Sequence, residues 1–89
     1  VLNTRISINT KQLRGRIAYI LLFFATRIYK SNEFELPISR KEIAQLIDMS
    51  TENVIRILSE FRKDKLIEIE GKFIRILDPD RLQRVYDLG

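Results

Sequence analysis

Apolar residues recur at helical spacing in the first third of this chain. The pattern begins after Thr10, a residue type that favours helix N-termini, and fades near Asn32, among residues that favour turns. The apolar positions, three or four residues apart, are Leu13, Ile17, Ile20, Leu21, Phe24 and Ile28. This spacing predicts one amphipathic helix with a single buried stripe.

Two shorter helical patterns follow within residues 39–66, each opened by a serine. Ser39 stands three residues before Glu42, the spacing of a capping box, and Ser50 can cap the second helix. Asp48 and Met49 are expected to end the first helix. The positions predicted to face the core are Ile43, Ala44, Leu46 and Ile47 in the first helix and Val54, Ile57, Leu58 and Phe61 in the second. Because so short a turn separates the two helices, they must cross as a helix-turn-helix.

The spacing becomes alternating after Lys65, which predicts two strands joined by a hairpin turn at Glu70 and Gly71. Glycine there supplies the positive φ that such a turn requires. The expected inward positions are Ile67, Ile69, either Phe73 or Ile74, and Ile76. A very short strand is also expected earlier, at residues 36–38.

A last helix is predicted to begin at Asp78, an N-cap residue type followed by Pro79 at the first helical position. Its minor apolar stripe would consist of Leu82, Val85 and Leu88. The order of elements predicts a mainly α fold with a small β-hairpin (α+β): a winged helix-turn-helix with a three-helix core, a wing and a short C-terminal helix. The domain would span residues 10–89, and residues 1–9 would lead in from an upstream region.

Composition restricts the chemistry that is open to this chain. It has 89 residues, 45% of them apolar, which suits one soluble domain. Cys and His are both absent, which removes thiolate nucleophiles, histidine bases and most zinc sites. We therefore expect no enzyme and no cofactor in this domain. The longest apolar run, residues 17–25, is shorter than the roughly 20 residues of a membrane span, so we expect a cytoplasmic protein without a membrane role.

Positive charge is concentrated at the N-terminal end. The net charge is +4, and residues 1–32 hold six of the sixteen basic residues and none of the twelve acidic ones. A basic end suits an anionic partner, although the same residues can simply keep a small domain in solution.

The second helix of the helix-turn-helix has an exposed face that its own core does not use. The residues predicted there are Thr51, Glu52, Ile55, Arg56 and Ser59. In a DNA major groove, about 12 Å wide, Glu52 could accept from cytosine and Arg56 could donate to guanine or to a phosphate. Ile55 or the Thr51 methyl could contact a thymine methyl. The alternative is structural. Glu52 would then interact with the dipole at the helix N-terminus and pair with Arg56 four residues later, and Ile55 would be more buried than its position on the helix predicts.

Three segments resemble the C-terminal DNA-binding domain of the Crp/Fnr family of bacterial transcription regulators. They are GRIAYILLFFA, ISRKEIAQLIDMSTENVIRIL and LIEIEGKFIRI, and the likeness covers about residues 13–77. Its most specific element is the pattern Ser-x-Glu-x-x-x-Arg at Ser50, Glu52 and Arg56. The resemblance implies sequence-specific binding of double-stranded DNA, with recognition helix 51–63 in the major groove. The residues it implies for base contacts are Thr51, Glu52, Ile55 and Arg56.

The resemblance also implies a set of residues near the DNA backbone: Ser39, Arg40, Lys41, Ser50, Asn53, Ser59, Gly71 and Lys72. Free N–H groups at two helix starts, flanked by cations, can bind phosphate. The alternative is that these residues are only caps and solvated charges. Many family members have Arg in place of Thr51 and a small residue or Ser in place of Ile55, so the preferred half-site should differ from the best-known ones.

Family members carry an N-terminal barrel and a long dimerisation helix, which these 89 residues do not contain. The resemblance therefore implies a homodimer through a missing N-terminal region, and RNA polymerase as a candidate partner. The main alternative is a winged-helix module for protein–protein interaction without specific DNA readout, which should expose a larger apolar patch around Glu52 and Arg56. A role at RNA or a membrane surface ranks third.

Overall fold

A computed structural model describes residues 10–88 of the chain and contains four helices and a three-stranded antiparallel sheet. The helices are α1 (Thr10–Phe23), α2 (Arg40–Leu46), α3 (Thr51–Lys63) and α4 (Pro79–Leu88). The strands are β1 (Glu33–Glu35), β2 (Ile67–Glu70) and β3 (Phe73–Ile76). This architecture confirms the predicted winged helix-turn-helix, and the interpretation of residues 1–9 falls outside the described residues. No helix between residues 10 and 88 is both long and apolar enough to cross a membrane.

Helix α1 buries the first part of its predicted stripe but not the end. Leu13, Ile17, Ile20 and Leu21 are buried. A π-helical segment, Phe24–Ile28, continues the helix, and the Tyr29 amide donates to the Phe24 carbonyl five residues back. The wider turn rotates the following residues, so Ala25 is buried and Ile28 is 54% exposed. The prediction for Ile28 was wrong because it assumed an unbroken α-helical period.

Strand β1 lies three residues before its predicted position at 36–38 and adds a third strand to the sheet. Its central residue, buried Phe34, pairs with Ile74 of β3. The Leu36 amide still donates to the Lys72 carbonyl, but Pro37 has no N–H with which to continue the ladder. The strand order is therefore β1-β3-β2.

The cap of α2 is the capping box that the sequence predicts. The Glu42 amide donates to Ser39 Oγ at 3.1 Å, and the Ser39 amide donates to Glu42 Oε1 at 2.8 Å. Ile43 and Ala44 are buried and Ile47 packs against the core, whereas Leu46 is 64% exposed. Leu46 was predicted wrongly because its direction lies about 100° from the mean direction of the other three on a helical wheel.

Helix α3 has the predicted bounds and the predicted buried face. The Asn53 amide donates to Ser50 Oγ at 3.1 Å, which confirms the cap. Val54, Ile57, Leu58 and Phe61 are all buried. Between α2 and α3, Asp48 adopts a positive φ of 58°, which helps the chain turn within a few residues. Because those four apolar residues are buried, the other face of α3 is the exposed one.

Strands β2 and β3, with the turn Gly71–Lys72 between them, form the wing. Gly71 has the expected positive φ, here 60°. Ile67, Ile74 and Ile76 are buried and Ile69 is partly buried, so Ile74 rather than Phe73 is the inward residue. Phe73 lies on the outer face of the sheet.

Helix α4 begins as predicted and packs along α1. The Arg81 amide donates to Asp78 Oδ1 at 3.1 Å, and Leu82 is fully buried. The Tyr86 and Tyr19 rings lie 5.4 Å apart, centre to centre, and join the two helices. Leu88 is 67% exposed, against the prediction, because six residues of helix rotate it about 120° from Leu82.

Candidate nucleic-acid interface

The exposed face of α3 carries the four residues predicted to contact bases. Glu52, Ile55 and Arg56 are exposed, and Thr51 is partly buried. All four belong to the first two turns of α3. They lie on the exposed face because the opposite face is packed on the core. Ile55 is the one large apolar side chain of α3 that is exposed, at 53%. The structure therefore presents the predicted set together, and their contacts with DNA stay a prediction.

Arg56 is held by neighbours on α3 rather than by Glu52. Its Nη1 donates to Glu60 Oε2 at 2.8 Å, and its Nη2 donates to Asn53 Oδ1 at 3.1 Å. Within residues 10–88, Glu52 makes no hydrogen bond or ion pair through its carboxylate. The Glu52–Arg56 surface pair of the structural alternative is therefore not formed, and the Glu52 carboxylate is available to a partner.

The start of α2 and the tip of the wing lie side by side. The Arg40 guanidinium donates to the Gly71 carbonyl at 2.6 Å. The pKa of Glu42 lies below its ordinary value, chiefly because its carboxylate accepts the Ser39 backbone N–H, then through its side-chain hydrogen bond with Ser39 and the positive charge of nearby Lys72. Lys41 and Lys72 are both exposed. Two exposed cations therefore lie at the joint between α2 and the wing.

A cleft of about 260 Å³ connects these parts to the exposed face of α3. Four of the predicted residues line it: Arg40, Ile55, Ser59 and Gly71. The predicted residues that do not line this cleft are Ser39, Lys41, Ser50, Thr51, Glu52, Asn53, Arg56 and Lys72. Exposed Arg62 does line it, and the sequence reasoning missed that residue. Arg62 follows Ile55 by seven residues, so helical spacing alone could have assigned it to the same face.

Two of the N-terminal basic residues have structural partners instead of facing outward. Arg16 donates to the carbonyl of Ile47, next to the end of α2, at 2.9 Å. Arg14 pairs with Glu60 at 2.7 Å and with Asp64 at 3.3 Å. The basic N-terminal end therefore contributes less to an anion-binding surface than its charge indicates.

The outer face of the sheet is acidic. Arg75 of β3 pairs with Glu33 of β1 and Glu68 of β2. In the next row, Phe73 lies between Glu35 and Glu70. This face would be repelled by a phosphate backbone, so charge favours approach from the α3 side. Residues 10–88 contain no group of three or more acidic side chains arranged to hold a metal ion.

Comparison with known proteins agrees with this geometry. The sequence model of a family described as a Crp-like helix-turn-helix domain matches residues 15–85. The transcriptional activator protein FnrA of Stutzerimonas stutzeri is 42% identical over 55 residues, which are 62% of this chain and 22% of that protein. Electron transport regulator A of Shewanella oneidensis is 36% identical over 72 residues, 81% of this chain and 29% of that protein. The chain thus spans less than a third of the length of either relative.

Solved structures share the fold. FixK2 from Bradyrhizobium japonicum superposes with a TM-score of 0.76 at 26% identity, covering 81% of this chain and 37% of that one. A regulator of the Crp/Fnr family from Eubacterium rectale gives 0.74 at 29% identity, covering 84% and 33%.

Proposed function

We propose, because this chain belongs to the family of Crp-like helix-turn-helix domains, that it reads the sequence of double-stranded DNA with α3 in the major groove. The family match and the relatives identify it as the DNA-binding domain of a Crp/Fnr-type regulator. The observation that carries the proposed mode of reading is the cleft where the exposed face of α3 meets the start of α2 and the wing tip. A recognition helix needs neighbouring groups that bind the DNA backbone, and the polar and charged residues beside this cleft are the candidates that support the proposal.

The base contacts that we propose follow from the chemistry of the exposed α3 side chains. Glu52, whose carboxylate has no partner among the residues that the structure describes, accepts from a cytosine amino group. Arg56 donates to guanine with those N–H groups that Glu60 and Asn53 leave unused. Ile55 contacts a thymine methyl, with the Thr51 methyl beside it. Exposing Ile55 to water gains nothing for the helix, so an apolar contact with a base accounts for its position.

The phosphate contacts that we propose come from the start of α2, the wing tip and α3 itself. Ser39, Arg40 and Lys41 serve at the start of α2, and Gly71 and Lys72 at the wing tip. Ser50, Asn53 and Ser59 serve along α3, and Arg62 extends that row. Such contacts fix the position of the helix without reading sequence.

For the whole protein, we propose transcription regulation in the cytoplasm rather than catalysis. The relatives are named as a transcriptional activator and an electron transport regulator. We further propose that the full protein is a homodimer through an N-terminal region, that it reads two half-sites about 34 Å apart, and that RNA polymerase is a partner. A module for protein contact is disfavoured, since Ile55 alone does not make an apolar patch on α3.

Titration of this chain with duplex DNA at two salt concentrations tests the proposal. We expect weak binding that weakens further with salt, with a slope of log K against log salt of about −0.9 for each phosphate neutralised. Selection from random duplexes should then give a preferred half-site. Binding that ignores salt, or selection without any preferred sequence, would contradict the proposed readout.

A further inference from the structure

Glu60 joins the recognition face to the core of the domain. Its two carboxylate oxygens have different partners: Oε1 accepts from Arg14 of α1 at 2.7 Å, and Oε2 accepts from Arg56 at 2.8 Å. Arg14 and Glu60 are 46 residues apart in the chain. One carboxylate therefore connects α1 with a residue proposed to read a base.

The Arg14 end of this connection is anchored. Its guanidinium lies 5.0 Å from the centre of the ring of Phe61, which is fully buried. It also pairs with Asp64 at 3.3 Å. A surface ion pair alone orders little, because both side chains move in water. Here stacking on a core ring and a second carboxylate fix Arg14, so Glu60 is held from the core side.

The Arg56 end is held at two points. Glu60 lies one turn after it and Asn53 lies one turn before it, and each accepts from a different terminal nitrogen of the guanidinium. An arginine has five N–H donors, so about three remain for DNA. A long side chain that is ordered before binding loses less entropy when it binds. The same contacts keep the guanidinium from swinging freely toward the nearest phosphate.

We propose that Glu60 is a positioning residue that sets the sequence specificity of Arg56 rather than the overall affinity for DNA. The inference rests on the proposed function, since it assumes that Arg56 reads a base. Glu60 keeps its contact with Arg56 in the DNA complex and orients the remaining N–H groups toward the base edge. Without Glu60, Arg56 is free to contact phosphates, which carry no sequence information.

The chain offers a matched control in Asp64. Both Glu60→Gln and Asp64→Asn remove one negative charge from the same end of α3, and both weaken the pairing of Arg14. Of these two carboxylates, Glu60 pairs with Arg56, whereas Asp64 pairs with Arg14. Any effect of net charge on DNA affinity is therefore shared by the two variants, and an effect on the orientation of Arg56 belongs to Glu60→Gln alone.

Both variants and the unchanged 89-residue chain are titrated against a panel of duplexes with single-base substitutions in the selected half-site. We expect Glu60→Gln to lose about two- to tenfold of the discrimination at the position that Arg56 reads, as expected from ordering one long side chain. Its affinity for unrelated DNA should stay the same or rise. Asp64→Asn should raise affinity for unrelated DNA similarly and keep the discrimination. In an Arg56→Ala background, Glu60→Gln should change nothing further in the profile.

Equal profiles for the two single variants would overturn the inference, because Glu60 would then act through charge alone. A loss of discrimination by Glu60→Gln that persists without Arg56 would overturn it as well. A flat profile for the unchanged chain is a different result, which contradicts the proposed function itself. A merely structural role for Glu60 would lower affinity for every duplex by the same factor and leave the ratios intact.

Discussion

The Arg40 guanidinium donates a hydrogen bond to the backbone carbonyl of Gly71, with 2.6 Å between the heavy atoms. The contact joins the start of α2 to the tip of the wing, 31 residues later in the chain. Arg40 thus orients the wing and places a positive charge beside it. Lys41, next in sequence, is exposed and makes no such contact within the described part of the chain.

We expect Arg40→Ala to weaken binding to all duplexes more than Lys41→Ala does. Each variant removes one positive charge and should reduce the magnitude of the salt slope by about one unit if that charge neutralises a phosphate. Arg40→Ala also releases the wing, so amide exchange at Lys72 and Phe73 should speed up in that variant only. Equal affinities and equal exchange in the two variants would show that the Arg40–Gly71 contact does not position the wing.

Arg56→Ala and Lys72→Ala should have different effects on DNA binding. If Arg56 donates two hydrogen bonds to guanine, Arg56→Ala should lose about 1 to 3 kcal/mol against the preferred site and relax selectivity at one position. Lys72→Ala should weaken all sequences alike and lower the magnitude of the salt slope by about one unit. Binding to the single-base panel separates the two results. An unchanged preference profile for Arg56→Ala would remove Arg56 from the base-reading set.

Glu52→Gln should change which base is preferred rather than abolish binding. The substitution replaces an acceptor oxygen with a donor, and the carboxylate has no hydrogen-bond or ion-pair partner within residues 10–88 that would be lost. Unfolding free energy should therefore change by less than about 0.5 kcal/mol. Binding to the panel of single-base-substituted duplexes measures the base preference, and a denaturant titration measures the unfolding free energy. A large loss of stability without a change in preference would indicate a structural role.

Leu58→Ala should destabilise the domain, because Leu58 is buried among the core residues of α3. The expected cost is about 2 to 5 kcal/mol of unfolding free energy. Ile55→Ala, at an α3 side chain that is 53% exposed, is the control and should cost clearly less while weakening DNA binding. Denaturant titrations measure both, and an unchanged midpoint for Leu58→Ala would mean that the helix is oriented differently.

The capping box at Ser39 should make stability depend on pH. The folded pKa of Glu42 is lowered, so its ionised form stabilises the folded state above the unfolded pKa, and this contribution is lost as pH falls through the folded value. Relative to Glu42→Gln, which keeps an acceptor but does not titrate, the unchanged chain should therefore lose stability below about pH 4. Denaturant midpoints at several pH values measure the difference. A difference that stays constant from neutral pH to about pH 3 would contradict this assignment.

Most features that depend on near neighbours in the sequence were predicted correctly, with Leu46 and Leu88 as exceptions at the edges of their helical stripes. The caps at Ser39, Ser50 and Asp78 are hydrogen bonds over three residues, and the bounds and buried face of α3 follow from one unbroken helical period. For the candidate site, this was enough to place Thr51, Glu52, Ile55 and Arg56 on one face. Their contacts with DNA stay a prediction.

Features that depend on distant partners were not predicted. The π-helical segment, which turns Ile28 outward, and strand β1, which needs β3 to pair with, both depend on more than the local period. The partner of Arg56 was not identified from the sequence, because Glu52 and Glu60 both stand four residues from it; in the structure it is Glu60, which also pairs with Arg14. The sequence by itself determined the caps, the helix order and the face that α3 offers, because these depend on hydrogen bonds and periodicity within a few residues. Tertiary structure alone decided how Glu60 and the wing tip are held, because Arg14 and Arg40, which donate to them, lie more than thirty residues away in the chain.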